Sequence, residues 1–410
     1  MKYKLILLFL FIVLFLRFIY SIVTSVTYQD GQSVKFTTQL FSEPQVQGNF
    51  KTISVNLPHT FPPQRATVMM PYGSAIEYGD RISISGKVKY TVLKNNKTVL
   101  TVYSLKTSLN ENNSNFFLRY IAQLRKNIGR LYSSILDPKS SSLLLGIVFG
   151  IKQNVSKDFS QNLRNTGVVH VIAASGMNVT MVAAFLMTLT KRFFKRQAAL
   201  IISLSGVLFY AIFSGLQPSI VRAAIMGSLA FSSQLFGRQY SGGYALGITG
   251  VSMLLLEPGL LFDIGFELSF LSTLGILYIQ PLLPTKTFLT DDIKTTIAAQ
   301  LSTIPIMLLY FGQYSLLSVF VNALVLWTIP LLMILGGFGA IIGLLVPFGG
   351  TVLLYLALPF LWYFVTIVEF FGKLQWNLQI LNVSALFIIG YYLLLLSIVL
   401  VVSRKEERVL

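Results

Sequence analysis

Cysteine is absent from the 410 residues, and histidine occurs only at His59 and His170. No disulfide and no thiolate metal site can form, and two imidazoles do not make a histidine-rich metal centre. No cofactor and no metal is expected. Charge is scarce too: 11% of residues are ionic, against roughly 25% in a soluble domain. Acid is the rarer sign, with 15 Asp and Glu against 32 Lys and Arg, a formal net charge of +17. Such a balance suits phosphate backbones or anionic lipid headgroups. No Gly-x-x-x-x-Gly-Lys-Ser/Thr loop occurs, so nothing in the chain points to its own nucleotide-driven motor.

Apolar residues are abundant. They make up 54% of the chain, the mean hydropathy is +0.69, and several runs exceed the ~20 residues that cross a bilayer. The fold class expected is a polytopic α-helical membrane protein. The N-terminal "MKYKLILLFLFIVLFLRFIY" resembles a signal sequence, but no Ala-x-Ala cleavage site follows it. It is predicted to be an uncleaved first span within 1–27, with Arg17 reaching for the headgroups. Further spans are predicted near 165–190, 197–215, 219–236, 241–260, 264–283, 294–311, 317–345, 349–371 and 383–402, about ten in all. Lys191, Arg192, Lys195, Arg196, Arg238, Lys286, Lys294, Arg404 and Lys405 then fall on one side, and only Lys373 in the short loops opposite. The positive-inside rule puts both termini in the cytoplasm and residues 28–113 outside.

Residues 28–113 are polar and alternate with period two. "SVKFTTQL", "NFKTISVNL", "ATVMM", "RISISGKVKY" and "TVLTVYSL" read as five short strands. Five strands in about 80 residues fit a small closed barrel such as an OB-fold. Between 114 and 140 lies an amphipathic helix with Phe117, Ile121, Leu124, Ile128, Leu131 and Ile135 on one face and Arg119, Lys126 and Arg130 on the other. It is predicted to lie flat in the membrane interface. "SSLLLGIVFG" at 141–150 is too short to span and reads as re-entrant, opening the segment 141–410 that holds the remaining spans.

Polar residues inside the apolar runs are the candidate functional groups. "HVIAASGMNV" at 170–179 carries His170, Ser175 and Asn178. On a regular helix His170 and Ser175 lie about 140° apart, which argues against a Ser–His nucleophile. Two uses stay open: close helix packing with polar glue, or a broken helix exposing polar groups to a water-filled path. Gln217 and Arg222 open another run, and Asp263 and Glu267 share a helix face four residues apart. Arg222 either pairs with Asp263 or Glu267 or contacts phosphate. Gln300 and Asn322 are predicted to extend a polar lining, with Pro305 and Pro330 breaking their helices.

Read together, these stretches resemble the ComEC family of competence channels, which import single-stranded DNA during natural transformation. The resemblance rests on "SSLLLGIVFGIKQNVSKDFSQNLRNTGVVHVIAASGMNVTMVAAF", "LQPSIVRAAIMGSLAFSSQLFGR", "YALGITGVSMLLLEPGLLFDIGFELSFLSTLGILYIQP" and "IAAQLSTIPIMLLYFGQYSLLSVFVNALVLWTIP". It covers about 30–402 and implies a transport path for single-stranded DNA across the lipid bilayer rather than an enzyme. It also implies a separate DNA receptor and a separate cytosolic motor. In the β-domain, Arg65, Tyr72, Tyr78, Arg81, Lys87 and Lys89 become candidate strand contacts, by stacking and charge. Asn178 stands where the family usually has histidine. The chain ends at Leu410, where many relatives continue into a metallo-β-lactamase-like domain, so the expectation is a channel served by a separate nuclease. A homo-oligomer is compatible with this reading. A transporter of another anionic polymer or of a lipid-linked substrate shares the same membrane design and is the alternative.

Overall fold

Period-two alternation requires a pleated, half-buried surface, and the first part of the chain builds one. The computed structural model describes residues 2–40, 44–47, 50–71, 76, 78–92, 98–109, 116–151, 155–172, 175–284, 291–380 and 383–407. It divides into two units: Met1–Ser134 with Ile151–Asn154 and Val251–Phe262, and Ile135–Gly150 with Val155–Gly250 and Asp263–Leu410.

The first unit begins with α1 (Lys2–Val23). Arg17 donates from Nε to the Leu255 carbonyl at 3.4 Å and lies 5.7 Å from the Tyr20 ring centroid. A single sheet follows, of β1 (Ser33–Gln39), β2 (Gln45–Gln47), β3 (Phe50–Asn56), β4 (Arg65–Pro71), β5 (Arg81–Val92) and β6 (Thr98–Leu109). Its order is β1-β5-β6-β4-β3-β2. The neighbours are antiparallel except β4 and β6, which run parallel. Five of these strands are the predicted ones. The sixth, β2, is too short for alternation to announce it. Six strands stand where five were predicted, and no pairing among the described residues joins β1 to β2 to close the sheet. Ile53, Val55, Val68, Met70, Ile82, Ile84, Val88 and Val102 form its core.

Helix α2 (Phe116–Ile135) buries Leu118, Ile121, Ala122, Arg125, Ile128 and Tyr132. This stripe is rotated from the one predicted. Phe117 and Tyr120 remain exposed, at 43% and 56%. Two contacts set the rotation. The Arg125 guanidinium sits 4.3 Å from the Tyr78 ring centroid, a cation–π arrangement. A side chain at Gly79 would meet the Leu118 Cβ at 2.9 Å, so the chain approaches the helix where only glycine fits.

The second unit is helical. Asp137 caps α3 (Pro138–Phe149), its carboxylate accepting from the Lys139 and Ser140 amides. Partial burial pushes the Asp137 pKa up, but the bonds from Ser140 and Lys139 outweigh it and hold the carboxyl below its usual range. The predicted span 165–190 is instead broken: it begins where α4 (Lys157–Asn165) ends and holds two helices, α5 (Val169–Ile172) and α6 (Gly176–Thr190). Helix α4 stops at Gly167, whose φ is 74°. There the Val168 amide bonds the Leu163 carbonyl and the Gly167 amide that of Arg164, the paired closure of a left-handed C-terminus.

Next come α7 (Arg196–Phe213), α8 (Pro218–Leu235), α9 (Gly242–Leu256), α10 (Ile264–Tyr278) and α11 (Asp291–Phe311). Strand β7 (Gln313–Ser315), α12 (Ser318–Val325), α13 (Thr328–Leu345), α14 (Pro347–Gly372), β8 (Asn377–Gln379) and α15 (Ala385–Glu407) complete the chain. Among the described residues α7, α11, α13, α14 and Ala385–Val402 of α15 are long and apolar enough to cross a membrane, five against the ten predicted. Several predicted spans are shorter helices: α6 and α9 have 15 residues each, and the run 317–345 divides into α12 and α13.

Pro305 does not break its helix; α11 runs through it. A proline leaves the carbonyl four residues earlier without its donor. Here that carbonyl, Leu301, accepts from the Tyr391 hydroxyl of α15 at 2.7 Å, and Ser302 accepts from Tyr392 at 3.0 Å. Pro330 falls in the first turn of α13, where no donor is lost. Tyr391→Phe is therefore expected to lower the stability of the purified chain by about 1–2 kcal/mol. In a Pro305→Ala background, whose restored amide serves Leu301, the same change should cost less; thermal unfolding of the four variants reads the difference.

Candidate functional site

A helix ends with four carbonyls lacking intrahelical partners, and inside a membrane no water is at hand to satisfy them. Helix α3 faces that problem, since residues Ser140 through Val148 are all buried. Gly150, at φ 68°, turns the chain and returns its amide to the Gly146 carbonyl at 2.9 Å. Three side chains from other parts of the bundle satisfy further carbonyls. Asn178 Nδ2 donates to Ile147 at 2.7 Å, the Tyr210 hydroxyl to Val148 at 3.0 Å, and Gln217 Nε2 to Gly150 at 3.3 Å. Gly146 lets α5 come close: a Cβ there would lie 3.0 Å from the Ile172 carbonyl oxygen.

The start of α6 meets the same place. Ser175 holds the N-cap position but caps nothing; its Oγ donates instead to Asn178 Oδ1 at 3.1 Å. Asn178 is 3% exposed and thus uses both ends of its amide. Arg222 of α8 is 8% exposed, and its Nε has no hydrogen-bond partner. A Cβ on Gly176 would stand 2.9 Å from Arg222 Nη2. The negative end of one short helix and the positive end of another therefore converge, among Ser175, Asn178, Gln217 and Arg222.

The other sequence candidates make no hydrogen bond or ion pair with this group among the described residues. His170 is exposed on α5, with Nδ1 3.2 Å from the Gly167 carbonyl oxygen, and makes no bond to Ser175. Asp263 caps α10 by accepting from the Phe266 amide at 3.0 Å. Glu267 accepts from the Tyr310 hydroxyl at 3.0 Å. Neither carboxylate forms an ion pair with Arg222 among the described residues; the pairs there are Lys139–Glu369 and Lys294–Asp291. Gln300 accepts from the Tyr314 hydroxyl at 2.6 Å. Asn322 is buried, with Oδ1 unbonded.

On the sheet, Arg81, Lys87 and Lys89 are exposed and alternate with buried Ile82 and Val88, so they share the outer face of β5; Lys35 is exposed on neighbouring β1. Arg65 is exposed at the start of β4. Tyr78 is 2% exposed, its ring covered by Arg125, and Tyr72 lies outside the described residues. Sequence reasoning missed Tyr210 and the α3 carbonyls altogether. The signal available was an apolar run ending at Gly150, too short to span, which needs partners at its inner end. No group of three or more metal-ligating side chains occurs among the described residues.

ComE operon protein 3 of Bacillus subtilis (strain 168) is 27% identical over 251 residues, covering 61% of this chain and 32% of the relative. An uncharacterized protein of Aquifex aeolicus (strain VF5) is 27% identical over 220 residues, 53% of this chain and 49% of its own. Uncharacterized protein YcaI of Escherichia coli (strain K12) is 27% identical over 168 residues, 39% of this chain and 21% of its own. The matched stretch is less than half of each relative's length. No solved structure matches. The family model described as Competence protein matches residues 147–405, from the last turn of α3 into α15, and the chain is a membrane protein belonging to that ComEC-type competence family.

Proposed function

We propose that this chain is a cytoplasmic-membrane channel that carries single-stranded DNA inward during natural transformation. The observation that carries the reading is the meeting of two short helix ends, α3 and α6, beside buried polar side chains in a run otherwise apolar enough for lipid. Discontinuous helices of this kind offer a charged substrate dipoles and donors near the middle of a bilayer. Phosphates do not shed water cheaply, and such a path spares them from doing so.

The sheet supports the same reading. Strands β1 and β2 occupy opposite ends of the sheet order yet are separated by only residues 40–44. Taken as two halves of one bent strand, they give the order of a five-stranded OB-type barrel, a fold that binds single strands. The basic outer face of β5 supplies charge for a backbone. In this reading the termini are cytoplasmic, the sheet is outside, and about ten crossings include short helices. A separate receptor would deliver DNA and a cytosolic motor would pull it; no catalytic step is assigned to this chain.

A clean deletion should abolish transformation by free DNA while DNA binding at the cell surface persists, with complementation restoring it. Normal transformation frequency in the deletion defeats the proposal. Loss of transport of an anionic polymer or labelled lipid, with DNA uptake unchanged, would give the site to the alternative substrate.

A further inference from the structure

We infer that the N-terminus of α6 and the Arg222 guanidinium together bind one phosphodiester group of the translocating strand. The inference rests on the DNA-transport reading above and assigns it a point of contact. Helix α6 has 15 residues, and its first amides carry the positive end of the helix dipole. The side chain of its N-cap serine caps none of them; the Asn178 amide bonds the Ser175 carbonyl at 3.1 Å, which leaves those of Gly176 and Met177 free. Beside them lies a guanidinium 8% exposed, with Nε unbonded and Nη2 against the bare α-carbon of Gly176.

Two positive features thus face each other without an acid. The carboxylates considered for the purpose are committed elsewhere: Asp263 to the Phe266 amide and Glu267 to the Tyr310 hydroxyl. A buried charge without a partner is costly, and a cation at a helix N-terminus adds repulsion. An anion with several oxygens in tetrahedral array resolves both. One oxygen takes the free amides, as helix N-termini take phosphate; another takes the planar guanidinium fork. Glycine at 176 lets the anion approach the backbone. A phosphodiester brings one charge at a time, which suits a strand that must be released again. Asn178 holds the site in place by tying α6 to the end of α3.

The test uses the full chain purified in a maltoside detergent, which carries no phosphate. The probes are a fluorescent single-stranded oligonucleotide and the same sequence with neutral methylphosphonate linkages. Arg222→Gln should weaken binding of the charged strand about tenfold or more, equivalent to about 1.4 kcal/mol. The neutral strand should bind both proteins equally. Without DNA, Arg222→Gln should melt no lower than the parent, because it removes an unpaired buried charge. Gly176→Ala pushes on the flexible tip of Arg222 and meets the Ala223 Cβ at an ordinary contact distance of 3.4 Å, so it should fold normally and show the same loss.

Unchanged affinity in either variant overturns the inference. So does a fall in the DNA-free melting temperature of Arg222→Gln that accounts for its lost affinity. A phospholipid that co-purifies with the parent but not with Arg222→Gln, DNA binding being equal, overturns it in favour of a lipid site. Normal transformation by Arg222→Gln, when the deletion transforms not at all, removes the phosphate contact and leaves the channel standing. A deletion that transforms normally removes the channel itself.

Discussion

Asn178→Leu should abolish transformation and destabilise the purified chain by about 2–4 kcal/mol, while Asn178→His should keep both near the parent level. Leucine removes the donor to the Ile147 carbonyl and the acceptor for Ser175 Oγ. Each orphaned buried group costs about 1–3 kcal/mol, and apolar surroundings offer no water to offset it. Histidine can present an N–H to Ile147 with one ring nitrogen and accept from Ser175 with the other. The histidine that the resemblance implies at this position therefore meets the same two demands. Asn178→Asp should be the most damaging, because an ionised carboxylate has nothing to donate to a carbonyl. Transformation frequency and thermal unfolding check the series. Full activity in the leucine variant would show that α3 does not need its end held.

Gly275→Leu should prevent accumulation of folded protein. The α-carbon of Gly275 on α10 faces the backbone of α11: a Cβ would overlap the Ala298 carbonyl and Ser302 Oγ and lie 3.0 Å from the Ala298 carbonyl carbon. Backbone cannot move aside as a side-chain tip can, so even alanine should cost about 1–3 kcal/mol through overpacking. Leucine forces the two helices apart. Ser302→Ala removes only one obstacle and should not rescue the variant. Gly227 and Gly247 meet nothing within 4 Å, so alanine there should be neutral or mildly stabilising through helix propensity. Size-exclusion profiles of detergent extracts separate these outcomes.

These two positions mark the boundary of what the sequence discloses. Strands β1, β3, β4, β5 and β6 were legible because each side of a sheet imposes its own chemistry on alternate residues. Strand β2 offered three residues and no pattern. The apolar run 165–190 looked continuous because hydropathy averages over breaks; only Gly167 and Gly176 hinted at them. In α2 the large apolar residues gave the stripe, yet a different one is buried: Leu118 packs at Gly79 and Arg125 reaches the Tyr78 ring. The polar residues 175, 178, 217 and 222 were found as anomalies in apolar surroundings. Their partners were not, since carbonyls carry no letter in a sequence. Arg222 offered a carboxylate pairing on paper, and the fold directs both acids elsewhere.

Helix α15 is the counterpart of this tightly wedged interior. None of its Ala385–Val402 stretch is buried, and among the described residues its hydrogen bonds to α11 are the two phenolic ones from Tyr391 and Tyr392. Little apolar contact would be lost if it swung away, so it belongs to the low end of the local-opening scale. The surrounding acyl chains, more than the protein, then govern its tilt. A thicker or thinner bilayer would be felt at this helix first, and through its tyrosines at the proline of α11.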